Sequence, residues 1–429
     1  MPSLLQNLPQ GWEILPFSKC VNKISIKHKV KTKDYLKNGK YPIIDQAKDF
    51  ISGYSNDENL LINIKKPVIV FGDHTRCFKF IDFNFIAGAD GIKILSPIDE
   101  FNEKLFYYFC LALKFEDKGY SRHYQFLEKT NINIPPLEVQ KAIVEKLENA
   151  FAHIDEAVHH LKAVQTNIPR LKSSLLHSAF SGKLTESQNS SHEVQTLKSV
   201  VGVEGEFERK EGETLPFEPP HPLIKTEIPQ GWEIKTLGEV CKINPKNKLD
   251  DDLEVSFIPM NLIADKYQNK FSYEIRKWSE VKKGYTHLQN RCIAIAKITP
   301  CFENGKCVIL QDLKNGYGAG TTELIVVLAD ENKILPKFVF YFFNTTNFTK
   351  EGVKNFKGTA GQLRISKDFI TNLQIPLPPL ATQNQIVQIL ESKFTHLDNL
   401  AQFVNASLEN LQRLKSSLLN QAFKGELIC

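Results

Sequence analysis

Residues 8–14 read Leu-Pro-Gln-Gly-Trp-Glu-Ile, and residues 228–234 repeat the phrase with Ile228 in place of Leu8. Two of the three tryptophans, Trp12 and Trp232, sit in these copies, so internal duplication is the first constraint on the fold. A longer pair follows: Arg170–Thr185 returns as Arg413–Ile428 with 11 of 16 positions identical. Ile134–Asp155, which opens with Ile-Pro-Pro-Leu, returns as Leu377–Asp398, which opens with Leu-Pro-Pro-Leu. Both later pairs are offset by 243 residues (413 − 170 and 377 − 134), the first by 220 (228 − 8). The chain is two tandem half-proteins. Each has the Trp phrase, about 120 to 145 residues of divergent sequence, a Pro-Pro-Leu mark and a long tail.

A length of 429 residues is enough for two or three domains with cores of their own. With 42% hydrophobic and 24% charged residues the composition is that of a soluble globular protein. A net charge of +5 permits a polyanionic partner without demanding one. The richest apolar run, Phe338–Phe343, is far too short to span a bilayer. No membrane partner is therefore expected. The amino terminus lacks the basic-then-apolar pattern of a secretion signal, so the expected compartment is the cytoplasm. Eight cysteines are scattered without a Cys-x-x-Cys pair or zinc-like histidine spacing, which predicts free thiols and no metal site.

The tails predict long helices. Leu147, Ile154, Leu161, Ile168 and Leu175 recur every seven residues, and adding 243 gives Leu390, Leu397, Val404, Leu411 and Leu418. Such a run suits a coiled coil, and each tail is the natural mate of the other. Antiparallel pairing follows from the polar, Pro-containing linker at residues 186–227. About 45 flexible residues span only some 35 to 40 Å, too little for comfort if the second domain had to start back along a rod of roughly 60 Å. Pro169, inside the first pattern, is expected to kink or break that helix. Near each helix start Val144, Phe151 and Val158, matched by Val387, Phe394 and Ala401, widen the apolar stripe; the adjoining domain or another protein must cover them. The expected fold is α+β: two β-rich domains separated by two long helices pairing as an antiparallel coiled coil, with an internal pseudo-twofold repeat. The division is 1–133 for the first domain, 134–185 for its helix, 186–227 for the linker, 228–375 for the second domain and 376–429 for its helix.

Within the variable segments, Lys27, Lys29, Lys31 and Lys33 alternate with Ile26, His28 and Val30. Period two places a row of ammonium groups on one face of a strand or extended edge, suited to phosphate contact or to blocking edge aggregation. Residues 65–88 read as strand, Gly-Asp turn and strand, with Asp73, His74, Arg76 and Lys79 on or just after the turn. Arg122, His123, Tyr124 and Gln125 form a second planar, hydrogen-bonding cluster suited to base edges. In the second half, residues 292–328 read as several strands with Asn-Gly turns, and Gly316–Gly320 reads as a turn rather than a cofactor loop. Lys297, Thr299 and Lys306 on those strands, and Gln362 and Arg364 before the second Pro-Pro-Leu, are the readable polar candidates.

Catalytic equipment is missing. No phosphate-binding Gly-x-x-x-x-Gly-Lys-Ser/Thr loop and no Asp/Asn-Pro-Pro-Tyr/Phe methyltransferase pattern occurs, and Glu116 with Lys118 is too slight a fragment to make a nuclease. Taken with the two Trp phrases, the two Pro-Pro-Leu openings and the two "LKSSLL..AF.G.L" closings, the chain resembles the specificity subunit of a type I restriction-modification system. That resemblance implies that each variable domain is a target recognition domain reading half of a split double-stranded DNA site, with the helices setting the spacing. It also implies partners: two modification (methyltransferase) subunits carrying S-adenosylmethionine, and restriction (translocase and nuclease) subunits using ATP and magnesium, with no cofactor in this chain. The segments around Asp73, His74 and Arg76 and around Arg122–Gln125 are similar to parts of some such recognition domains. Two other readings stand beside it: the recognition subunit of a type IIB-like complex, and a coiled-coil adaptor that never touches DNA.

Overall fold

A computed structural model describes residues 8–88, 91–113, 122–186, 228–359 and 361–427. The chain forms two compact units. One contains the residues up to Lys162 together with those from Asn405 onward, the other Ala163–Val404.

In the first unit, β1 (Glu13–Pro16) pairs antiparallel with β10 (Asn131–Ile134), joining the Trp phrase to the segment before Pro135 and Pro136. Between them lie β2 (Val21–Ile24), β3 (Tyr41–Ile44), β4 (Gly53–Ser55), β5 (Leu61–Ile62), β6 (Val68–Gly72), β7 (Phe78–Ile81), β8 (Phe85–Ala87) and β9 (Ile92–Pro97). They make two four-stranded sheets, ordered β2-β9-β6-β7 and β4-β3-β8-β5. Strand β6 is buried along its whole length, and its side chains divide by the two-residue period of a strand. Val68 and Val70 enter one apolar cluster with Ile44 and Phe85. Ile69 and Phe71 enter another with the Glu103–Ala112 helix and with Leu147, Leu419 and Phe423 of the long helices.

The second unit has the same plan with different residues. Its ribbon is β11 (Glu233–Thr236) on β20 (Gln374–Leu377). The sheets are built from β12 (Cys241–Ile243), β13 (Glu254–Ile258), β14 (Glu274–Lys277), β15 (Thr286–Gln289), β16 (Ile293–Ala296), β17 (Cys307–Ile309), β18 (Tyr317–Gly320) and β19 (Leu324–Ala329). Their orders, β12-β19-β16-β17 and β14-β13-β18-β15, match those of the first unit strand for strand, including one parallel pair in the second sheet of each. The glycine-rich 316–320 stretch, expected as a turn, is mostly β18, an inner strand. Its glycines serve close approach, since a Cβ on Gly318 would lie 2.4 Å from the Ser256 carbonyl oxygen. The Phe-rich run 338–343 lies in the Pro336–Phe343 helix, and Phe338, Phe342 and Phe343 are almost wholly buried.

Two long helices, Leu137–Phe180 and Leu380–Lys424, each give one stretch to each unit. They pair antiparallel. In the second unit Lys172 Nζ meets Asp398 Oδ1 at 2.6 Å, and in the first Lys415 meets Asp155. These are the same pair repeated, because 415 − 172 and 398 − 155 both equal 243. Each ammonium also lies 5.0 Å from an equivalent ring, Phe394 or Phe151. Most of the widened stripe is covered by each unit's own domain: Val387 and Phe394 lie in one core, Val144 and Phe151 against the other, while Val158 and Ala401 stay half-buried.

Of the two outcomes expected at Pro169, a kink or a break, the break does not occur; the helix runs through it. Its position is exposed, so solvent can take the place of the backbone hydrogen bond that proline cannot make. The heptad also drifts at its end. Leu176 and Leu419 are buried in place of Leu175 and Leu418, which are only partly covered. A straight helix slips about 20° per heptad, so four heptads lose about 80°, close to one residue's 100°.

Candidate nucleic-acid interface

In both units the repeated motifs converge on one joint. Gly425 ends the second helix with φ +77°, and a Cβ there would meet Pro9 Cγ at 2.4 Å and Trp12 Cζ2 at 3.4 Å. Gly182, at φ +81°, stands in the same relation to Pro229, at 2.1 Å. Only glycine fits both the left-handed backbone and the contact. Trp12 packs on the first core, and Trp232 is 9% exposed in the second. Both are packing anchors.

A buried glutamine completes each joint, and sequence reasoning passed over it. Gln140, 1% exposed, accepts the Asn102 N–H at 2.7 Å and donates to the Glu100 and Pro135 carbonyls, both at 2.9 Å. Gln383, 0% exposed, accepts the Leu335 N–H at 2.9 Å and donates to Lys333 at 3.0 Å and Pro378 at 2.9 Å. The signal was present: these are the only two Pro-Pro-Leu sites, and both carry Gln at the sixth position from the first proline.

Away from the joints the two units diverge. In the first, the loop after β6 meets residues 122–127. Asp73, 4% exposed, accepts the Tyr124 N–H on its carboxylate at 2.7 Å. Its carbonyl accepts both the backbone N–H and the Nδ1–H of His123, each at 3.0 Å. Asp73, His123 and Tyr124 are therefore buried together rather than presented. Burial pushes the Tyr124 phenol above its usual range, partly offset by Lys23, whose ammonium lies 4.5 Å from the ring. Arg122 and Gln125 are exposed, His74 and Arg76 half-buried, with Arg76 in the left-handed region at φ 61°.

Lys79 departs from its expected place. It is 5% exposed on β7 and donates to the Asp49 carbonyl at 2.5 Å, and burial holds its ammonium below the usual lysine range. Its geometry serves the loop at 45–49. The lysine row also differs from a strand edge. Strand β2 stops at Ile24, and Lys27, Lys29, Lys31 and Lys33 follow on exposed, non-ladder backbone. Ile24 and Ile26 still turn toward the core between the sheets. The part of the second cluster before Arg122, with Glu116 and Lys118, lies outside the described residues, as does the linker from 187 to 227.

In the second unit Lys297, Thr299 and Lys306, expected on strands, lie instead in the loop between β16 and β17, and that loop meets residues 356–366. Thr299 N–H donates to Leu363 and Ile365 N–H to Lys297, both at 3.0 Å. Arg364 grips Glu323 with two hydrogen bonds, Nε to Oε2 at 2.8 Å and Nη2 to Oε1 at 3.0 Å, and gives a third to the Gln362 carbonyl at 2.8 Å. The Arg364 hydrogen bonds hold the Glu323 carboxyl below its usual range, with Lys297 assisting. Arg364 is thus committed within the protein. Lys306 is committed too, to the Ile263 carbonyl and to Asp265 at 3.3 Å, and the Thr299 hydroxyl bonds Glu303. Gln362 is exposed. Four of the five candidates, Lys297, Thr299, Gln362 and Arg364, come together here, and Lys306 lies on the far side of the same loop.

A family model of the type I restriction modification DNA specificity domain matches residues 9–164 and again 229–410. The chain belongs to that family and carries its domain twice. It is 40% identical over 259 residues to the type I restriction enzyme EcoAI specificity subunit of Escherichia coli, covering 59% of this chain and 44% of that protein. It is 36% identical over 260 residues to the EcoEI specificity subunit of the same organism, covering 59% and 43%. The chain thus spans less than half the length of these two relatives. With the Escherichia coli EcoR124I/EcoR124II specificity subunit the match is 23% identical but covers 92% of this chain and 90% of that one. Two solved structures share the fold at 17% identity. One comes from work on complex assembly and conformational transition of the type I R-M system (TM-score 0.66, covering 98% of this chain and 100% of that one). The other is the HsdS subunit from Thermoanaerobacter tengcongensis (TM-score 0.54, covering 100% of both). Among the described residues no helix is long and apolar enough to cross a membrane.

Proposed function

We propose that this chain is the DNA-reading subunit of a type I restriction-modification complex, each domain reading one half of a bipartite double-stranded target. One observation carries this: two domains of one strand plan stand on matching joints, yet differ in the side chains of their loop pairs. A repeated frame with unlike loops suits two independent readings of one duplex. Lys27, Lys29, Lys31 and Lys33 supply salt-dependent phosphate contacts. Arg122, Gln125, Arg76 and His74 in one unit, and Gln362 with Lys297 in the other, supply base contacts. The length of the paired helices sets the spacing of the half-sites.

Methylation and cleavage belong to partners: two modification subunits holding S-adenosylmethionine, and restriction subunits using ATP and magnesium, all in the cytoplasm. This chain contributes recognition and no catalytic residue. Methylation mapping of the source cell's DNA before and after deletion of the gene tests the reading. A bipartite methylated motif that vanishes with the gene supports it; an unchanged methylome overturns it.

A further inference from the structure

In each unit an acidic residue braces the two loops that the proposed function assigns to base reading, and in the second unit it adds to two direct backbone bonds between them. Asp73 does so with two groups: its carboxylate takes the Tyr124 N–H at 2.7 Å, and its carbonyl takes His123. The next residues on its own loop are His74 and Arg76, and the segment it captures carries Arg122 and Gln125. Glu323 acts in the same double way. Its carbonyl accepts the Lys297 N–H at 2.9 Å, and its carboxylate holds Arg364 at 2.8 and 3.0 Å. The two acids stand on different elements, Asp73 just after β6 and Glu323 just before β19, and the sequences around them share no motif.

We propose that Asp73 and Glu323 are positioning residues for sequence reading, one per half-site. Each fixes two loops as one edge and touches no base itself. A hydrogen-bonding pair discriminates bases only when its donors and acceptors are held to within a few tenths of an ångström. Loosening the latch therefore blurs one half of the target while leaving phosphate binding intact. The inference rests on the DNA-reading function above.

The test is selection from randomised duplexes by the full chain, purified with its partner subunits, followed by sequencing of the bound pool. Asp73→Ala is expected to lower base preference about tenfold in one half-site only, and Glu323→Ala to do the same in the other. Asp73→Asn keeps an acceptor for the Tyr124 N–H and is expected to restore most of the preference. Arg364→Lys removes the two-bond grip at a partly exposed site. It is expected to keep the fold and to match Glu323→Ala, so the idea stays testable where an alanine variant fails to fold. Unchanged preference in Arg364→Lys or Asp73→Ala, or equal loss in both half-sites, overturns the latch. A wild-type chain that selects no sequence overturns the DNA reading itself, a separate outcome.

Discussion

At the scale of single residues, exposure divides the candidates more sharply than residue type does. Arg122 and Gln125 are exposed, whereas Asp73, His123 and Lys79 are among the most buried polar residues of the first unit. Arg122→Ala and Gln125→Ala are each expected to cost about 1 to 3 kcal/mol of discrimination at one base pair, measured by competition binding between cognate and single-mismatch duplexes. His287 gives a pH prediction. It is 7% exposed, accepts the Asn247 N–H on Nδ1 at 3.0 Å and donates from Nε2 to the Lys282 carbonyl at 2.9 Å, which defines a neutral ring. Burial lowers its pKa below 6.5. A folded value below the unfolded one means that its stabilisation is present above about pH 6.5 and is lost as pH falls through the folded value. Melting of the wild type between about pH 7.5 and 5.5 should therefore drop further than that of His287→Gln.

The structural element that matters most is the joint where ribbon, helix start and helix end meet. Gln140, itself buried, satisfies the Asn102 N–H and the Glu100 carbonyl at the part-buried edge of the joint and the Pro135 carbonyl inside it. Gln140→Leu preserves volume and loses all three bonds, so destabilisation of about 2 to 4 kcal/mol is expected by denaturant unfolding. Gln383→Leu should match it. The helix pairing itself is held mainly by apolar contact. Asp398→Asn should cost about 1 kcal/mol or less, because the carboxylate is 60% exposed although Lys172 is only 9% exposed. A larger loss, or aggregation of the variant, would mean that the buried ammonium has no substitute partner.

For the molecule as a whole, duplication makes the two readings separable. Replacing residues 17–130 with the corresponding segment of another family member is expected to change one half of the target and leave the other, as read by methylation mapping. The frame retained in that exchange includes β1, β10, Gln140 and Gly425, the parts that build the joint. Affinity for unrelated duplex should fall steeply with added salt, and less steeply after Lys27, Lys29, Lys31 and Lys33 are changed to Gln.

Most of the frame was legible because it obeys periods. The sevenfold apolar repeat predicted both long helices, and three duplicated motifs at fixed offsets predicted two units of one plan. The turn chemistry of residues 292–328 located several strands. Burial of polar groups was not legible, since nothing local marks Lys79 or Asp73 as interior; each is buried by loops distant in sequence. Nor was the fate of Pro169, which depends on which face of its helix meets solvent. The amino-acid sequence alone determined the duplication, the helices and the chemistry available at the loop tips, because those follow from spacing and side-chain type. Only the tertiary structure decided which of those groups are left to meet a partner. Long-range hydrogen bonds such as Asp73 to Tyr124 and Glu323 to Arg364 consume some and release the rest.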